Sequence, residues 1–196
     1  MHIHFAVLFM TVFLAFPAPF KQGEKWGYRD SDGRTVIAPQ FEVALEFSAE
    51  GIAGVVDSQG WAYIDPTGRV LVRPVVVDNG PDYFSEGLAR FRAGGKVGFF
   101  NGKGKVVIQA KYAFARPFAE GLAAVCDSCK EIREGEHTVV AGGKWGFIDT
   151  RGSLVIPLQF EDATSFENGK ARVKEAGYWK YVDKKGVVVG TSDKRQ

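Results

Sequence analysis

Cys126, Cys129 and His137 fall within one stretch, CDSCKEIREGEHTVVAGG (126–143), and the two cysteines are the only ones in the 196-residue chain. Three kinds of chemistry fit these residue types at this spacing. A C-x-x-C pair in an exported protein forms a disulfide, closing a small ring with little entropic gain. Cys126, Cys129 and His137 could instead supply three zinc ligands, with Asp127, Glu134 or Glu136 as the fourth. A redox-active dithiol is the third reading, but that chemistry wants its first cysteine at a helix N-terminus within a βαβ unit, and no such pattern surrounds Cys126. The disulfide is the leading candidate.

Other catalytic templates find no residues. His2 and His4 lie in an apolar leader, so a histidine base would have to be His137, and no G-x-S-x-G nucleophile motif occurs. The glycine-rich pieces AGGKVG and AGGKWG lie between strands rather than before a helix, which excludes a phosphate-binding loop. Glu50, Glu86, Glu120 and Glu167 recur near loop glycines. Recurrence in every unit suits a turn role, whereas an acid–base pair is needed once, in one cleft. No catalytic residue, resident metal or other cofactor is expected.

The elements around the cysteines are repetitive. Aligned on Trp26, Trp61, Val97, Trp145 and Trp179, five units start 35, 36, 48 and 34 residues apart. The long interval holds the 126–143 insertion. A period in this range marks repeat architecture. Each unit opens with a strand (WGYRD, WAYID, VGFFN, WGFID, WKYVD) and then a turn from Asp or Asn to Gly33, Gly68, Gly104, Gly152 or Gly186. Asp or Asn first and glycine fourth predict a type I turn with a glycine bulge. A second strand rich in β-branched residues follows. A connection then carries Phe47, Phe84, Phe118 or Phe166 ahead of a glycine and leads to a return strand. The tryptophans are expected to stack on these connection phenylalanines. A lone meander of this length cannot bury enough apolar surface, so neighbouring units must build the core.

The segments KWGYRDSDGRTVIAPQFE and KWGFIDTRGSLVIPLQFED resemble the WG-containing repeat family of bacterial proteins, named for the pair found here at Trp26-Gly27 and Trp145-Gly146. Two units depart from that pattern: Ala62 follows Trp61, and Val97 stands before Gly98. The resemblance implies an all-β repeat protein, often exported, with no catalytic residues to carry over. The expected fold is tandem ~35-residue three-stranded antiparallel repeats in an open twisted array. A small β-propeller is the alternative, although its blades need four strands and roughly 40 residues.

Residues 1–20 contain no Asp, Glu, Lys or Arg, and the apolar run Phe5–Phe16 has the length of a signal-peptide core. It is too short to span a bilayer, which needs roughly 20 apolar residues. The expected organisation is a signal peptide over 1–18, the repeat domain over 19–189 and a polar tail over 190–196, with no membrane span after cleavage. A net charge of +2 without like-charge blocks points away from nucleic acid. The functional expectation is an exported, non-enzymatic scaffold that binds a protein or envelope component. Two alternatives are a metal or ligand module at the insertion and a carbohydrate binder using the tryptophans.

Overall fold

A computed structural model describes residues 16–135 and 137–191. The leader expected over 1–18 and the tail expected over 190–196 lie largely outside them. The described residues form strands and turns only, and contain no helix long and apolar enough to cross a membrane.

The turns come first, because they recur most strictly. Asp30, Asp65, Asn101, Asp149 and Asp183 each accept, through the side-chain Oδ1, the amide N–H groups two and four residues on, at 2.8–3.1 Å. Their carbonyls accept the N–H of Gly33, Gly68, Gly104, Gly152 and Gly186 at 2.9–3.0 Å. Each of these glycines has φ between 71° and 87°, a region costly for any residue with a Cβ.

Five antiparallel sheets follow one another along the chain. The first is β1 (Ala18–Gln22), β2 (Lys25–Arg29) and β3 (Thr35–Phe41). The second is β4 (Val43–Ala44), β5 (Ala53–Asp57), β6 (Gly60–Ile64) and β7 (Val70–Val72). A small hairpin, β8 (Val76–Val77) and β9 (Gly80–Pro81), leads to the third: β10 (Leu88–Ala93), β11 (Lys96–Asn101) and β12 (Val106–Tyr112). The fourth is β13 (Phe114–Ala115), β14 (Leu122–Cys126), β17 (Trp145–Asp149) and β18 (Leu154–Phe160), with the hairpin β15 (Lys130–Glu134) and β16 (His137–Ala141) inserted after β14. The fifth is β19 (Asp162–Ala163), β20 (Lys170–Glu175), β21 (Tyr178–Asp183) and β22 (Val188–Thr191).

Each sheet joins the return strand of one sequence unit to the first two strands of the next, so the sheets are out of phase with the written repeat. Three sheets also gain a short outer strand, β4, β13 or β19, taken from the connection.

Side chains alternate across each sheet, and the cores lie between successive sheets. Tyr28 and Ile37 meet Val55 and Ile64; Tyr63 meets Phe91 and Phe100; Phe99 and Ile108 meet Val125 and Ile148; Trp145 and Phe147 meet Val173 and Val182. The stack is an open array, not a closed barrel. At the two ends of the stack, cations lie over aromatic rings of the outer faces. Arg29 lies over Phe20 at one end, at 3.9 Å. At the other end Arg172 lies over Trp179 at 4.7 Å and Lys170 over Tyr181 at 4.8 Å.

The glycine after tryptophan has a specific cause. Trp26 pairs with Phe41 while Tyr28 pairs with Ile37, so residues 38–40 bulge over Gly27 alone. The same shift puts residues 109–111 over Gly98 and 157–159 over Gly146. A Cβ on Gly98 or Gly146 would lie 2.5 Å from the carbonyl oxygen of Ile108 or Ile156. Where Ala62 replaces glycine, the bulge is missing: β7 ends at Val72 and the chain crosses to the third sheet, where Pro74 bridges Phe91. Lys180 follows Trp179, and there too the facing strand has no such bulge.

The connection phenylalanines stack two residues beyond the expected position. Phe47 packs on Tyr28 at 5.0 Å, Phe84 on Tyr63 at 6.2 Å, Phe118 on Phe99 at 4.7 Å and Phe166 on Phe147 at 4.9 Å. The tryptophans instead sit at the far end of their strands; Trp145 meets Phe114 edge-on at 5.8 Å.

Candidate functional site

Cys126 ends β14 and Cys129 precedes β15, with Cα atoms 6.0 Å apart and sulfurs bonded to each other. Both residues are buried in the core shared by the fourth and fifth sheets, beside Trp145. Gly143 packs against them: a Cβ there would lie 2.6 Å from the Cys126 sulfur. Asp127 closes the base of the insertion, its Oδ1 accepting the Ser128 hydroxyl at 2.8 Å and the Lys144 N–H at 3.1 Å. The Ser128 bond holds the Asp127 carboxyl below the usual carboxylate range.

This arrangement separates the three residues that the sequence places together. With both sulfurs in one bond, neither is a thiolate able to ligate a metal. His137 pairs with Glu134 at the turn of the β15–β16 hairpin, while Cys129 sits at its base. Five residues of strand put the two backbones about 16 Å apart. The insertion is a disulfide-pinned hairpin, and an ion pair between Arg92 and Glu131 ties it to the third sheet.

Two of the four recurring glutamates, Glu86 and Glu120, hold backbone through their carboxylates. The Glu86 carboxylate accepts the Gly121 N–H at 2.9 Å, and that of Glu120 accepts the Gly169 N–H at 3.0 Å. Lys184 lies 3.2 Å from Glu120, and its hydrogen bond lowers the Glu120 pKa. Glu86 and Glu120 both have φ of 53°, and the residue that shares this conformation in the last loop is Asn168, not Glu167. Asp57, paired bidentately with Arg73, and Asp149, which accepts the Ser153 N–H, are likewise held below their usual range. A carboxyl pushed down is a weak base at neutral pH, the opposite of what general acid–base work requires.

The tryptophans do not share an exposed face. Trp145 is fully buried. Trp61 is half-buried and its indole N–H donates to the Asn79 carbonyl at 2.9 Å. Trp26 is half-buried, and Trp179 is half-buried under Arg172.

Sequence reasoning missed the polar joints between sheets. Arg90 and Asp82 form a buried bidentate pair, at 2.7 and 2.8 Å, and Arg90 also donates to the Ala115 carbonyl of the next sheet at 2.9 Å. Arg116 donates to the corresponding carbonyl one sheet further on, Ala163, at 2.7 Å. Asp82 and Arg90 carry no local pattern that would have marked them.

One concavity stands apart from these joints. Between the loop of residues 45–52 and the third sheet opens a groove of about 540 Å³, lined by Leu45, Ile52, Tyr63 and Phe84, with Glu46, Glu50 and Lys103 among its polar residues. Its size and apolar lining are those of a ligand site.

Among curated proteins none matches the chain. The WG containing repeat pattern matches residues 26–58, 61–96, 98–127 and 145–179, breaking off at the disulfide hairpin and resuming at Trp145. With the strand–turn–strand unit, the bulge over the Trp-Gly glycine and these matches over more than half its length, the chain belongs to the WG containing repeat family.

Proposed function

We propose that this protein is an exported, non-enzymatic binding scaffold that presents the loop edge of its array to another protein or an envelope component. The observation that carries the reading is the use of the recurring carboxylates. Asp30, Asp65, Asp149 and Asp183 hold turns, and Glu86 and Glu120 join loop to loop. These side chains, which could otherwise run acid–base chemistry, are spent on closing turns within units and, at Glu86 and Glu120, on tying neighbouring loops together. Repeat arrays use such extended surfaces for recognition.

Two features support export. The charge-free leader has the length of a signal core. The Cys126–Cys129 disulfide suits an oxidising compartment. Intact mass of the protein from its host tests this part: loss of the leader with two thiols that alkylate only after reduction is expected. An uncut chain with free thiols would overturn export. Affinity capture with the purified protein from envelope extract tests the scaffold. Enrichment of a defined partner is the expected result, and turnover of a substrate class without any enriched partner would overturn it.

A further inference from the structure

The loop ladder lacks one rung, and the groove lies at the gap. Gly121 and Gly169 each donate an N–H to the glutamate of the preceding loop. The corresponding pair one unit earlier is Glu50 and Gly87. The first loop is one residue longer, running from Phe47 to Gly51 against Phe84 to Gly87. Glu50 is therefore not held in the conformation of Glu86 and Glu120. Among the described residues its carboxylate has no hydrogen-bond or ion-pair partner, and the Gly87 N–H has no acceptor, although Gly87 has φ of 79° against 86° at Gly121.

The consequences line the groove. Phe84 is 40% exposed where its counterparts Phe118 and Phe166 are 1% and 3%. The Tyr28 hydroxyl donates to the Leu45 carbonyl at 2.7 Å, whereas that of Tyr63, one sheet on, has no partner among the described residues and borders the groove. The site thus holds an open donor at Gly87, two carboxylates at Glu46 and Glu50, two aromatic rings and an aliphatic floor, against one cation at Lys103.

We propose that this groove binds an extended peptide segment of a partner protein in which a basic side chain lies beside an apolar one. A peptide carbonyl accepts the Gly87 N–H, replacing the missing rung. The cation sits between the Glu46 and Glu50 carboxylates with its stem along Tyr63 and Phe84, where ring faces favour positive charge. The apolar side chain covers Leu45 and Ile52. An acidic segment would bring a third negative charge to a mouth with a single lysine. The proposal rests on the scaffold reading and gives it a site and a partner chemistry.

The test uses the full chain and two fluorescein-labelled hexapeptides with blocked ends, one alternating leucine with arginine and one alternating leucine with glutamate. Anisotropy should show the arginine peptide binding about tenfold or more tightly than the glutamate peptide, with the preference weakening in salt. The double variant Glu46→Gln with Glu50→Gln should remove that preference. Both residues are exposed, so its thermal transition should match the parent. Lys103→Gln should strengthen arginine-peptide binding. Equal or tighter binding of the glutamate peptide, an undiminished preference in the double variant, or no binding of either peptide at millimolar concentration would each overturn the proposal. If the double variant still enriches the parent's partners from envelope extract, the groove is not their site and the scaffold reading survives alone.

Discussion

The Glu86 carboxylate reaches across 35 residues of sequence to accept the Gly121 N–H at 2.9 Å, and the link repeats one unit on between Glu120 and Gly169. These links tie loops of adjacent sheets without adding to either core. Removing one should therefore loosen a loop and leave the array folded. Glu86→Ala is expected to raise amide exchange at Gly121 several-fold while leaving Gly169 unchanged, read by hydrogen exchange with NMR. Simultaneous loosening at both glycines would show that the links are not separate.

The glycine of the Trp-Gly pair should be indispensable only under a bulge. At Gly146 the Ile156 carbonyl occupies the space of a Cβ, so Gly146→Ala must push β18 away from β17. A cost of about 3 kcal/mol is expected, the upper range for forced overpacking. At position 62 the bulge is absent and alanine is already buried, so Ala62→Gly should cost only about 1 kcal/mol. Urea denaturation of the two variants makes the comparison.

How far the fold was legible depends on the range of the forces that set it. The Asp-to-Gly turns were readable because four consecutive residues contain both the acceptor and the positive-φ position. The disulfide was readable from the close pairing of Cys126 and Cys129. The phase of the sheets was not, because a return strand such as β5 can pair with β6 or with an earlier strand, and only packing decides. The phenylalanine contacts were missed for a related reason: Trp26 and Tyr28 share one strand face, and the loop length selects which of them Phe47 reaches. The groove was invisible in sequence. It arises from one extra residue between Phe47 and Gly51, a difference that has meaning only beside the neighbouring loop.

Reduction of the Cys126–Cys129 bond should be felt locally. The loop it closes is four residues long, so the chain-entropy contribution is about 2 kcal/mol. The sulfurs are buried beside Trp145, and the β15–β16 hairpin hangs from them. Added reductant is expected to lower the urea midpoint modestly and to shift the fluorescence of Trp145, while the first two sheets keep their exchange protection. Global unfolding on reduction would mean that the insertion organises more of the array than its contacts indicate.

Acid should weaken the array through its turns and joints. Asp57, Asp127 and Asp149 have carboxyls held below their unfolded range by Arg73, Ser128 and the Ser153 N–H. A carboxyl depressed in the folded state gives stability that is complete above its unfolded pKa of about 3.9 and is lost as pH falls through the folded value. The urea midpoint should thus be flat from pH 7 to about 5 and fall below about 4. Asn101 makes the same two turn hydrogen bonds without an ionisable group. Asp149→Asn should accordingly keep the turn at neutral pH and reduce the acid loss.

The Arg90–Asp82 pair and Arg116 reach matching carbonyls of successive sheets in two different ways. Asp82 stands in the connection and Arg90 in the return strand, and Arg90 reaches the Ala115 carbonyl. In the next unit the connection holds Arg116, the return strand holds Ala124, and Arg116 reaches the matching carbonyl of Ala163 directly. The cation has changed strands while its target has stayed in place. Arg90→Ala alone leaves the 3% exposed Asp82 carboxylate without its partner and should cost about 3–5 kcal/mol. Combining it with Asp82→Arg reproduces the arrangement of the following unit and should recover most of that loss. A double-mutant cycle by urea denaturation measures the recovery. If the double variant were no more stable than Arg90→Ala, the carbonyl contact would be incidental, and the buried ion pair itself would be what fixes the path of residues 74–90 across the third sheet.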